Sequence, residues 1–191
     1  MNSNDLIREI FHKITPVILS WTADDIYALS LFVYDKSDNP CEPTVTLGYN
    51  TEENYQKSIK NASNKLEARW NYAFWPQNQE YIFGIDDTAG IVKQWILNSG
   101  LPFFTFHEIF YTDISDTIDD AILDQITQKF VNVLICVVQQ LHQTGIIQKK
   151  FNKEIPVIIH ELEYYDEIAQ QNIRANSLCL VQGFIDFIYE I

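Results

Sequence analysis

The chain has 191 residues, 47% of them apolar and 14% aromatic. That is too rich in core formers for a disordered segment, and long enough to bury a core without disulfide or metal staples. Thirteen basic residues stand against 26 acidic ones, a formal net charge of −13. This balance argues against a nucleic-acid binder and against a polybasic contact with anionic lipid, because both draw their affinity from Lys and Arg.

The first element predicted is a helix. Leu6, Ile7, Ile10, Phe11, Ile14, Val17, Ile18 and Trp21 recur at steps of three and four, with Ser3 or Asn4 as cap and Pro16 as a kink near the end. Ile26 to Tyr34 is rich in strand formers, 35–43 carries turn chemistry, and Thr44 to Tyr49 reads as the returning strand of a hairpin. Thr51 caps a helix whose first turn holds Glu52 and Glu53 and which ends between Ser63 and Glu67. Ala68 to Trp75 and Glu80 to Gly84 flank Pro76 and read as a second hairpin.

Asp86, Asp87 and Thr88 cap a short helix over Ala89 to Asn98, which Gly100 ends, and the aromatic stretch Leu101 to Tyr111 reads as extended. From Ser115 or Thr117 the stripe Ile118, Ile122, Ile126, Phe130, Val133, Leu134, Val137 and Leu141 predicts a helix of about 28 residues, stopped by Gly145. A strand over Ile155 to His160 and a helix over Leu178 to Tyr189 complete the chain. Two hairpins without strict βαβ alternation point to a single α+β domain. Its sheet is mainly antiparallel, with the long helix and several shorter ones packed on it.

Cys136 and Cys179 lie in apolar segments and read as buried small hydrophobes, with Cys41 as a loop thiol. The longest unbroken apolar run, Val133 to Val138, is far below the ~20 residues a membrane span needs. The chain opens without a signal-peptide pattern, and a cytoplasmic protein is expected.

Three stretches draw chemical interest. On a strand, Trp70, Tyr72 and Phe74 share one face and Arg69, Asn71, Ala73 and Trp75 the other. The plain reading is a core strand with a surface ion pair. The functional one is an aromatic-walled groove, with Arg69 anchoring a peptide, a carboxylate or a partner loop. Residues 160–167 gather His160, Glu161 and three further carboxylates, read as a solvated acidic loop rather than a metal site: Tyr164 stands where a zinc helix motif needs its second His. Between Glu80 and Gln128, nine acids, among them Asp116, Asp119 and Asp120, face one Lys, Lys93. That surface either keeps the protein soluble or docks a basic partner, whose approach complementary charge speeds. No nucleotide, nucleophile-elbow or redox motif is present, so no cofactor or metal is expected.

The stretches LGYNTEEN (47–54), EARWNYAFW (67–75) and FNKEIPVIIHELEYYDE (151–167) together resemble a bacterial domain-of-unknown-function family, DUF family 4303. The resemblance spans most of the chain and implies no activity. By size and acidity such proteins are similar to the immunity proteins of bacterial toxin systems. The reading that follows is a protein-binding, immunity-like module that docks a basic partner through an acidic face. The alternative is an enzyme with a pocket around Arg69, His107 and His160, and convergence of those three side chains distinguishes the two.

Overall fold

A computed structural model describes residues 1–105, 107, 108 and 120–190, with 120 and 122 described by their backbone alone. Helix α1, Ser3–Ser20, is capped by Asn2, whose side chain accepts from the Asp5 N–H while the Asp5 carboxylate returns to the Asn2 N–H. It buries Leu6, Ile10, Ile14 and Ile18 and continues four residues past Pro16. Strands β1, Ile26–Asp35, and β2, Pro43–Thr51, form the expected hairpin, paired from Tyr34 opposite Thr44 to Ala28 opposite Asn50. Thr51 caps α2, Glu52–Ser58, through the Asn54 N–H. Then come α3, Lys65–Trp70, and a 3-10 turn over Tyr72–Phe74. Strand β3, Tyr81–Phe83, and α4, Ala89–Asn98, precede the long helix α5, Asp120–Gln143. The chain closes with α6, Ile146–Phe151; β4, Val157–His160; α7, Asp166–Ala175; and α8, Leu178–Glu190.

The fold is α+β. Its sheet has the order β3-β2-β1-β4, with antiparallel pairing except between β1 and β4, which run parallel from Leu29 opposite Val157 to Phe32 opposite His160. The pleat sends alternate residues to opposite faces. Leu29, Leu31, Val33, Leu47, Val157 and Ile159 join a large cluster with α1, α4 and α5, where Phe130, Leu134, Val137 and Leu141 supply the stripe of the long helix. A second cluster gathers Tyr27, Ala28 and Ile158 with Trp70, Trp75, Ile168, Val181 and Phe184 from α3, α7, α8 and the turn after α3. Helices thus cover both faces of the sheet.

Several expectations change. Residues 68–75 form no strand: Asn64 caps α3 by accepting from the Glu67 N–H, and Asn71 caps the next turn through the Ala73 N–H. Strand β3 therefore has no hairpin partner there and pairs with β2 instead. Helices α6 and α7 were not anticipated. The cysteines exchange roles, since Cys41 is buried while Cys136 and Cys179 are exposed. Cys41 lies inside because its Sγ meets the Phe104 N–H and the Pro102 carbonyl region. The start of the long helix and much of the aromatic stretch before it lie outside the described residues. Among the described residues no helix is long and apolar enough to cross a membrane.

Candidate functional site

Arg69, at the end of α3, is half-buried and held in place by its neighbours. Its guanidinium forks onto both carboxylate oxygens of Glu52 at 2.8 and 3.0 Å and lies over the rings of Tyr27 and Tyr55, 3.9 and 4.9 Å from their centroids. The bond from Arg69 holds the Glu52 carboxyl below its ordinary range. The Arg69 carbonyl accepts from Tyr27 Oη and from Trp75 Nε1. From the other side Asn54 Nδ2 and Ser58 Oγ both donate to the Phe74 carbonyl. The segments 47–54 and 67–75, conspicuous in the sequence, are thus each other's hydrogen-bond partners. Trp70 packs against Phe184, and the Tyr72 N–H donates to Tyr164 Oη.

His160 ends β4. Its Nδ1 lies 3.0 Å from the Glu161 carbonyl, which can only accept, so Nδ1 carries the proton. Nε2 then accepts from Ser30 Oγ at 2.7 Å on neighbouring β1. A hydroxyl at that distance from an oriented imidazole matches the geometry of a nucleophile and its base. Here, however, Ser30 is 1% and His160 2% exposed, and the rings of Phe32, Tyr72, Trp75 and Tyr164 surround the imidazole. Burial pushes the His160 pKa down to about 4, so the ring is neutral. Both ring nitrogens are occupied, and the pair is a closed core contact.

A cleft opens where the parallel strands β1 and β4 end. It has two lobes of about 700 and 660 Å³ that share Asp35, Thr127, Glu161 and Tyr165. The larger runs between α5 and α7, past Asp124, Val131, Glu167 and Arg174. The smaller is walled by Phe32, Tyr34 and Leu162. Asp35 Oδ1 is buried without a hydrogen-bond partner, the only carboxylate oxygen so placed among the described residues. Burial, together with the charges of Glu161 and Asp38, pushes the Asp35 carboxyl up to about 6. Glu161 accepts from Tyr165 Oη at 2.9 Å, and Arg174 donates to Asn132 Oδ1. Burial and the nearby Glu161 push the Tyr165 hydroxyl upward.

The sequence candidates therefore separate. Arg69, Trp70, Asn71 and Tyr72 belong to the packing beneath the sheet, and His160 is enclosed. Of the sequence candidates whose side chains are described, Glu161 alone lines the cleft. His107 is exposed in the segment after α4, beside Glu108, whose carboxylate accepts from the Thr105 N–H and hydroxyl. Asp116 and Asp119 lie outside the described residues, and Asp120 is described only by its backbone at the start of α5. Sequence reading missed Asp35, which it placed in the turn and which is the last residue of β1, opposite Pro43. Tyr165 and Glu167 lay in the flagged acidic stretch and Asp124 among the nine acids, but nothing in the sequence joined them. Comparison with protein-family models, with curated proteins and with solved structures finds no match. The chemistry of the cleft therefore rests on its own residues.

Proposed function

We propose that this chain is a binding protein, immunity-like in character, that docks a basic partner protein through its acidic surface. The observation that carries this reading is the state of Asp35. A half-buried carboxylate with one buried, unpartnered oxygen, pressed by two further acids, is costly, and such groups concentrate where a ligand compensates them. A cation brought by a partner supplies that compensation, and the net charge of −13 draws such a partner in. The enzyme reading relied on Arg69, His107 and His160, and two of these are committed to neighbours in the core.

The test is affinity capture from host lysate at low salt, followed by association kinetics of the captured protein at two ionic strengths. A basic partner is expected, with an association rate that falls as the Debye length shortens below ~10 Å. Replacing Asp116, Asp119 and Asp120 with Asn tests the acid-rich stretch that leads into α5 in the same assay. Only acidic or neutral partners, or rates indifferent to salt and to acid removal, would overturn the reading.

A further inference from the structure

We infer that the cleft at the ends of β1 and β4 receives an arginine side chain from an extended segment of the partner, with an apolar residue next to that arginine seated against Leu162 and Tyr165. The inference rests on the docking reading above and names its site and its ligand chemistry.

The first support is size. Lobes of about 700 and 660 Å³ match side chains of a peptide rather than a bare ion. Among the described residues no three His, Cys, Asp or Glu side chains come together as a metal-binding set. The second is charge. The groups that act on Asp35 are Glu161 and Asp38, both acidic, while Arg174 at the far end of the larger lobe is bonded to Asn132.

The third support is how this chain holds an arginine of its own. Arg69 is gripped by carboxylate oxygens on its edge and by tyrosine rings on its face. The cleft offers the same two kinds of group, the Asp35 and Glu161 carboxylates and the Tyr165 ring, on separate elements. A planar guanidinium with five donors reaches acceptors spread in this way, and it stacks on rings better than an ammonium does. The fourth support is the rim. Leu162 is 75% exposed and Tyr165 41%, side by side with the acids on the wall of the smaller lobe. An apolar seat beside a cation pocket selects a residue pair and so discriminates against a free polyamine.

The experiment is an NMR titration of the ¹⁵N-labelled chain with the peptide acetyl-Gly-Arg-Leu-Gly-amide. Two comparison peptides replace Arg by neutral, isosteric citrulline, or Leu by Gly. Saturable shifts are expected at the amides of Asp35, Glu161, Leu162 and Tyr165. Affinity is expected to fall about tenfold for the citrulline peptide and about threefold for the Leu-to-Gly peptide. Asp35→Asn is expected to lower affinity for the parent peptide about tenfold, and Leu162→Ser, at an exposed position, about threefold. Glu53→Gln, on the exposed surface of α2, is expected to leave it unchanged. Equal binding of the citrulline peptide overturns the inference, as does an Asp35→Asn variant that binds normally. Peptide binding that maps elsewhere overturns the inference but leaves the basic-partner reading standing. That reading falls separately, on the kinetics of the captured protein.

Discussion

Asn172 on α7 and Asn176, the residue that caps the end of that helix, stand four positions apart, and each grips one residue of β4 by both its N–H and its C=O. Asn172 Oδ1 accepts from the Ile159 N–H and its Nδ2 donates to the Ile159 carbonyl, at 2.9 and 2.7 Å. Asn176 does the same for Val157, at 2.9 and 3.0 Å. Four residues of helix rise about 6.0 Å and two residues of strand about 6.6 Å, so the two periods match. The helix thereby completes the open edge of the sheet as a fifth strand would, and closes it to other chains.

Asn172→Ala is accordingly expected to cost about 1–3 kcal/mol, because the buried Ile159 N–H loses its partner while the Ile159 carbonyl keeps only the bond from Gln171 Nε2. Urea denaturation at neutral pH measures it. A change below about 0.5 kcal/mol would mean that water replaces the amide and the edge is not sealed.

His160 makes acid destabilising. Its folded pKa of about 4 lies below the ordinary 6.5, so between these values the unfolded chain binds more protons than the folded one. Stability from this group is complete above pH 6.5 and declines as pH falls toward 4, by up to about 3 kcal/mol. His160→Phe, which suits the surrounding rings but does not titrate, is expected to flatten the loss between pH 6.5 and 4.5. Parallel loss in variant and parent would show that other groups govern the acid limb.

Asp35 acts with the opposite sign. Its carboxyl, raised from 3.8 to about 6, lets the folded state hold a proton that the unfolded state has released. Its contribution is therefore most favourable at low pH and declines as pH rises through 4 to 6. Asp35→Asn is expected to stabilise the protein at pH 7 by about 1–2 kcal/mol, after allowance for its partial exposure. A destabilised Asp35→Asn would show that the carboxylate has a partner within the fold.

Gly183, within α8, faces the indole of Trp70, and a Cβ there would stand 2.9 Å from Nε1. Alanine at a helix interior ordinarily adds about 1 kcal/mol over glycine. Here the buried indole, wedged against Tyr27 and Phe184, resists displacement. Gly183→Ala is therefore expected to destabilise by about 1–3 kcal/mol. A rise in melting temperature would show that Trp70 yields.

The sequence was most legible where one face repeats locally. The four-residue steps of α1, the alternation of the β1–β2 hairpin, the Thr51 cap and the long apolar stripe of α5 each declare themselves within a dozen residues. Trp70, Tyr72 and Phe74 misled because alternate aromatics fit a strand. Their conformation is set instead by the Asn64 and Asn71 caps and by distant donors such as Tyr27 and Asn54. Helix α7 was missed because its inner face is partly polar: Gln171, Asn172 and Asn176 turn toward the β4 backbone, so its apolar stripe is thin. The cleft was invisible because it depends on the parallel register of Phe32 with His160, a pairing between the two ends of the chain that no local pattern encodes.

The grip between segments 47–54 and 67–75 also bears on descent. Reversing the Glu52–Arg69 pair could restore an ion pair but not the stacking of the guanidinium on Tyr27 and Tyr55, and no change at Asn54 is neutral while Phe74 offers it a carbonyl. Mutational drift in either segment is thus confined by the other, and the two should be inherited as a block. In diverged relatives Glu52, Asn54, Arg69 and the tyrosines should be kept or lost together.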